Sequence, residues 1–195
     1  MNMTVTIIFH SVTGNCFILA KAFAAAFRQF NTQVQLRRVP DEDLISLQRR
    51  FSAAEEISEE LNAIPLITLE EFCQADFVLL GCPNYFGNVS AEMKTFMDAS
   101  AAVYLNQPLK GKPAGFFCTS SSINGGGNFC LEAMIRYAQH MAMMPLSVPL
   151  SAQMCSPALS AYGVNHIAGF SGECRPDHKL LTAITDLSKF WLSQY

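Results

Sequence analysis

Charge is scarce in this sequence: Lys and Arg number 13 and Asp and Glu 16 among 195 residues, and neither sign gathers into a long run. A net charge of −3 without a basic stripe excludes the usual footprint of a nucleic-acid-binding protein, so no such partner is expected. Long apolar runs are missing too, because the longest are interrupted by Lys21 or by Pro145 and Pro149. No stretch can span a bilayer, and no membrane insertion is expected. Met1-Asn2-Met3 leads straight into a strand pattern, without a basic n-region or an apolar h-region, so no signal peptide is visible. The seven cysteines, at 16, 73, 82, 118, 130, 155 and 174, contain no C-x-x-C pair. They suit buried thiols in a reducing cytoplasm. His10, His166 and His178 are dispersed without ligand spacing, so no metal is expected. Neither Cys16 nor Cys118 has a partner histidine in sequence, which removes the case for a thiol nucleophile.

What is present is an apolar chain, 50% hydrophobic. Its length corresponds to one α/β domain over 1–195, and the apolar surplus points to a subunit interface and hence a homo-oligomer, a dimer or tetramer.

The chain is organised around Phe9-His10-Ser11-Val12-Thr13-Gly14-Asn15-Cys16. A β-branched strand, Val5 to Phe9, runs there into hydroxyls, one glycine and a helical pattern. The first amides of a helix have no intrahelical partners and point above the strand end, where an anion satisfies them. Ser11 and Thr13 add hydroxyls, Gly14 permits a backbone conformation a side chain would block, and Asn15 can cap the helix. The loop holds no Lys or Arg and matches neither GxxxxGK[ST] nor GxGxxG, so a single terminal phosphate is the better ligand. An ordinary capped βα turn fits the same short pattern.

Periodicity then places a helix carrying Leu19, Phe23, Ala26, Phe27 and Phe30, and a second strand over 33–39. Residues 41–64 read as a helical insertion over the sheet edge, either solvated helices or a lid or subunit contact. A helix follows over 69–75, then the fully apolar Phe77 to Gly81, suited to a central parallel strand, which ends in an aromatic and amide-rich loop over 82–90. Another strand over 112–119 enters Ser120-Ser121-Ser122-Ile123-Asn124-Gly125-Gly126-Gly127 and a helix to about His140. Met143 to Leu150 reads as a fifth strand weakened by its prolines, 151–176 as a long loop, and the end as a helix with Leu180, Ile184, Leu187 and Trp191 on one face. The fold class is α/β, a doubly wound, five-stranded parallel sheet with helices on both faces. Loops 10–16, 82–90 and 119–128 then share its C-terminal edge, where such sheets bind ligands.

Ser11-Val12-Thr13-Gly14-Asn15-Cys16 resembles the T/S-x-T-G-x-T phosphate loop of the flavodoxin-like family, with Cys16 replacing the last hydroxyl. Pro83-Asn84-Tyr85-Phe86-Gly87-Asn88-Val89-Ser90 resembles the P-T-R-F-G-N-M-S motif of the WrbA family of flavodoxin-like NAD(P)H:quinone oxidoreductases. Phe96-Met97-Asp98, Leu109-Lys110-Gly111-Lys112, Gly125-Gly126-Gly127 and Tyr162-Gly163 through Ile167-Ala168-Gly169 extend the likeness over nearly the whole chain.

The resemblance implies an FMN flavoprotein that takes a hydride from NADH or NADPH and reduces a quinone or similar acceptor. It implies that residues Ser11, Val12, Thr13, Gly14, Asn15 and Cys16 hold the FMN phosphate. Pro83, Asn84, Tyr85, Phe86 and Gly87 would line the isoalloxazine, and Thr119, Ser120, Ser121, Asn124, Gly125 and Gly126 would supply a third wall. Tyr85 replaces the family's arginine and removes a positive charge from beside the flavin. Tyr104 falls where the family has a tryptophan bordering the substrate site, though it also fits a half-buried helix-end tyrosine. His140 resembles one of the family's paired histidines near the flavin, while a lone histidine at a helix end is commonly structural. No catalytic acid or base is identified. The alternatives are a flavodoxin-type one-electron carrier, which is not an enzyme, and an NAD(P)H-dependent FMN, azo or nitro reductase. A tetramer is the family expectation.

Overall fold

The computed structural model describes residues 3–195; Met1 and Asn2, read as leading into the first strand and counted in the 1–195 domain, lie outside them. The sheet is built from β1 (Thr4–Phe9), β2 (Gln33–Arg38), β3 (Phe77–Pro83), β4 (Pro113–Ser120), β5 (Met144–Pro145), β6 (Leu159–Ser160) and β7 (Gly163–Ile167). Its order is β2-β1-β3-β4-β7-β6, with β5 also beside β4. Every pairing is parallel except that of β6 with β7. Five parallel positions are therefore present as expected, and the sheet as a whole has seven strands.

The fifth position differs from the expected single strand over 143–150. Only Met144 and Pro145 pair there, against Pro113 and Ala114 at the start of β4. Pro145 and Pro149 offer no amide to a ladder, so the strand cannot continue. The chain leaves the sheet and returns as β7, which pairs with the second half of β4, Val164 opposite Phe117 and Ile167 opposite Ser120. The expected long loop thus contains β6, β7 and the short helix α8 (Leu150–Gln153).

Alternation along the strands divides the core into two layers. Ile7, Leu79 and Phe117 face helices α1 (Asn15–Arg28) and α9 (His178–Leu192), where Phe23 stacks on Trp191 at 5.9 Å. Ile8, Leu80 and Phe116 face α5 (Leu69–Gln74), α6 (Ala91–Ala99) and α7 (Gly127–His140), with Phe72, Met93 and Leu131. Helices α2 (Leu44–Gln48), α3 (Ser52–Glu55) and α4 (Ser58–Asn62) form the 41–64 insertion. The ends of β1, β3, β4 and β7 lie along one edge and carry the loops described next.

Candidate functional site

At the end of β1 the backbone must turn sharply into α1, and Gly14 does so at φ +96. A Cβ there would come 2.4 Å from Ile57 Cγ2, so both the conformation and the space require glycine. Among the described residues, the amides from Val12 to Cys16 donate to no protein acceptor. The N-cap position is Gly14, so no side chain caps the helix from there, and the Phe17 amide donates instead to Ser11 Oγ at 3.3 Å. Asn15 instead turns away and donates through Nδ2 to the Gly172 carbonyl at 2.7 Å. The loop is an anion cradle in the physical sense, with free donors converging at a helix start.

The second wall is a tight turn after β3. Tyr85 and Asn88 exchange backbone hydrogen bonds of 3.0 Å in both directions, and the central residues Phe86 (φ 54) and Gly87 (φ 74) are both left-handed. That geometry favours Asn or Gly at both centres, so Phe86 carries backbone strain while its ring is fully exposed. Burial, with Cys16 and the Glu92 and Asp41 carboxylates nearby, pushes the Tyr85 phenol up to about 12, so it remains protonated at neutral pH.

The third wall follows β4. Asn84 ties it to the second, donating through Nδ2 to the Gly125 carbonyl at 2.6 Å and to Ser120 Oγ at 3.3 Å. Its Oδ1 is buried without a protein partner. Gly126, at φ +83, brings this loop against the turn, and a Cβ on it would lie 3.2 Å from the Gly87 Cα.

Between these loops lies a cavity of about 390 Å³. Of the residues expected at the site, Ser11, Val12, Thr13 and Cys16 line it with Pro83, Asn84, Tyr85, Phe86, Thr119, Ser120, Ser121 and Gly125. Gly14, Asn15, Gly87, Asn124 and Gly126 shape the loops from behind and do not line it. Tyr104 stands off the cavity, half-exposed in the 3₁₀ segment Ser100–Asn106. His140 is exposed at the last turn of α7. The helix begins beside the site at Gly127, and its rise of about 1.5 Å per residue carries His140 roughly 20 Å away within one copy.

Sequence reasoning missed Phe51, Phe170 and Gly172, which also line the cavity. Phe51 comes from the insertion, which therefore does more than sit in solvent. Phe170 and Gly172 come from the loop after β7, and the Gly-x-x-Gly spacing of Gly169 and Gly172 was the available signal. Arg175 supplies the cation that the phosphate loop lacks, donating through Nη1 to the Thr13 carbonyl at 2.7 Å and through Nη2 to the Ala53 carbonyl.

Next to the cavity, the buried His10 is not solitary. Its Nε2 donates to Asp41 Oδ2 at 3.0 Å, and its Nδ1 lies 3.4 Å from Glu92 Oε2. These three residues are a possible ligand set that sequence spacing did not reveal. Opposite ring nitrogens face the two carboxylates, so one ion could take only one of those nitrogens; the arrangement suits an imidazole held by its hydrogen bond to Asp41 better than a metal ligand. Burial pushes the Cys16 thiol up, with Cys82 adding and a hydrogen bond to Thr119 opposing, so it is no activated nucleophile.

The residues present fit flavin mononucleotide. Free amides at one end match a phosphate, and the unpartnered Asn84 Oδ1 at the other matches an imide N–H. Fold and cavity together define a flavodoxin-like α/β protein. Residues 3–153 match the family described as NADPH-dependent FMN reductase, and the chain belongs to that family.

Among its relatives, the NAD(P)H dehydrogenase (quinone) of Solidesulfovibrio magneticus is 33% identical over 190 residues, covering 93% of this chain and 92% of that one. The protein of the same name from Geobacter metallireducens is 29% identical, covering 96% and 95%. A flavodoxin from the domain Archaea superposes with a TM-score of 0.63 at 16% identity, covering 98% of each chain. A WrbA-like protein from Agrobacterium tumefaciens gives 0.61 at 19%, covering both chains fully. The structural likenesses establish the fold, and the resemblance to the WrbA-type flavodoxin-like family stands.

Proposed function

We propose that the protein is an FMN-dependent NAD(P)H:quinone oxidoreductase, passing two electrons as a hydride from NADH or NADPH to a quinone or similar acceptor. The observation that carries this reading is the joining, around one cavity lined by Val12, Thr13, Cys16 and Asn84, of the phosphate loop's free amides with the unpartnered Asn84 Oδ1. Bound FMN supplies an isoalloxazine that takes hydride from one substrate and returns it to the next. The chain's own work is to bind and orient. The loop amides hold the phosphate, Arg175 fixes the Thr13 carbonyl and contributes positive charge, and Asn84 Oδ1 accepts from the ring edge. Tyr85 and Phe86 form an apolar wall, and Tyr85 stays neutral beside it. Gly14, Asn15, Gly87, Asn124 and Gly126 set the loop shapes that make this possible.

We also read the chain as one domain, acting in the cytoplasm as a homo-oligomer, a dimer or tetramer. Support for the oligomer comes from exposed apolar side chains such as Leu105, Phe129, Leu150, Met154 and Phe170. Support for the compartment comes from the seven cysteines, which are all free thiols. In an oligomer Tyr104 and His140, which stand off the cavity of their own copy, are available to a neighbour's site.

Initial-rate kinetics of the FMN-loaded protein test this reading. Quinone-dependent oxidation of NADH or NADPH, with parallel double-reciprocal lines as one substrate is varied against the other, supports it. Absence of quinone-dependent turnover with both nucleotides overturns it.

A further inference from the structure

Phe170 is 86% exposed, yet unlike Leu105, Phe129, Leu150 and Met154 it lines the flavin cavity. Its ring pairs with no other aromatic side chain among the described residues, and neither does that of Phe86. The packing of the core therefore accounts for neither ring.

The loop that carries Phe170 is held on both sides of it. Before it, the Ala168 amide donates to the Ser120 carbonyl at 2.8 Å, which ties the loop to the third wall. After it, the Gly172 carbonyl accepts from Asn15 Nδ2 at 2.7 Å, and the Cys174 amide returns to the Ala168 carbonyl at 2.9 Å. Gly172, at φ +75, lies so close to Thr13 that a Cβ would collide with the threonine side chain. Anchored in this way, the loop fixes where its apex side chain stands.

Phe86 and Phe170 approach the cavity from opposite sides. The turn carrying Phe86 packs toward α7, since a Cβ on Gly87 would meet the Phe129 side chain at 3.8 Å. The loop carrying Phe170 packs on the start of α1, and α1 and α7 cover opposite faces of the sheet. Among the described residues, the cavity lining includes no Lys, Arg, His, Asp or Glu. A molecule entering it is held by contact and stacking rather than by charge.

Tyr85 and Phe86 form the wall assigned above to the flavin, and Phe51 is half-buried, which leaves Phe170 as the free aromatic ring on the other side. We propose that Phe170 is the specificity-determining residue for the electron acceptor: the acceptor's flat ring stacks on it, so a fused two-ring quinone is favoured over a one-ring quinone. This rests on the acceptor reduction proposed above and adds to it the residue and the ring size it selects.

The test is titration of the oxidised, FMN-loaded protein with 2,3-dimethyl-1,4-naphthoquinone and with tetramethyl-1,4-benzoquinone, followed by perturbation of the flavin absorption bands. Oxidised flavin does not reduce a quinone, so binding is read without turnover, and full methylation keeps the exposed Cys155 and Cys174 from adding to the rings. The parent should bind the naphthoquinone more tightly. Phe170→Ala should weaken that binding about tenfold and the benzoquinone less than about threefold, with Phe170→Tyr restoring the margin. In turnover the same substitution should raise KM for the naphthoquinone, with kcat little changed. An equal loss for both quinones, no loss, or a Phe170→Ala protein that no longer holds FMN overturns the proposal. A parent that shows the binding margin but no quinone-dependent oxidation of NADH or NADPH refutes the oxidoreductase reading instead.

Discussion

Arg175 donates through Nη1 to the carbonyl of Thr13 at 2.7 Å, a contact that joins the loop after β7 to the phosphate loop across 162 residues of sequence. The same guanidinium donates to the Ala53 carbonyl of the insertion, so one side chain clamps three separate segments around the free amides. Hydrogen bonds from a charged donor contribute about 1.5–3 kcal/mol each when part-buried. Arg175→Ala should therefore weaken FMN binding at least about tenfold. Quenching of FMN fluorescence on titration with protein measures it, and an unchanged Kd would remove Arg175 from the cradle.

Phe86 sets stability against function. Its left-handed backbone disfavours a side chain of this kind, and its ring is fully exposed. Phe86→Asn should raise the stability of the flavin-free protein by about 1 kcal/mol, roughly 2–4 °C in Tm, while weakening FMN binding or slowing turnover. Thermal unfolding and the fluorescence titration give the two readings. A variant no more stable than the parent would show that the turn is unstrained.

Asp41 makes stability depend on acid pH. The hydrogen bond from His10 holds its carboxyl below the usual carboxylate range, with burial opposing. A depressed folded-state pKa stabilises above the unfolded value, about 3.9, and the contribution is lost as pH falls through the folded value. Urea midpoints followed from pH 6 downward should drop below about pH 4, and Asp41→Asn should flatten that part of the profile. Parallel profiles for parent and variant would contradict this role.

Much of this was legible in the sequence because the signals are local. Each of the loops after β1, β3 and β4 sits between a short apolar strand and a periodic helix, so Ser11, Asn84 and Ser120 could be placed on one edge without coordinates. Phe51, Phe170 and Arg175 could not: the spacing that makes the insertion helical does not say that Phe51 reaches the site, and Phe170 and Arg175 come from a loop without periodicity that arrives there only through tertiary packing. Pro145 and Pro149 signalled a weak strand, but not that Gly163–Ile167 would fill the vacated ladder. His140 was drawn toward the site by motif likeness, and the length of α7 carries it to the other end of the molecule within one copy. Asp41 and Glu92 met His10 only in three dimensions.

The most direct test of the central claim is the visible spectrum of the purified protein incubated with FMN, followed anaerobically through addition of NADPH and then quinone. The account predicts flavin bands that bleach in one two-electron step with the nucleotide and return with the quinone. Bands absent altogether would contradict the cradle and the cofactor together. Bands that bleach only with dithionite, one electron at a time, would contradict the enzyme and leave a flavodoxin-type carrier.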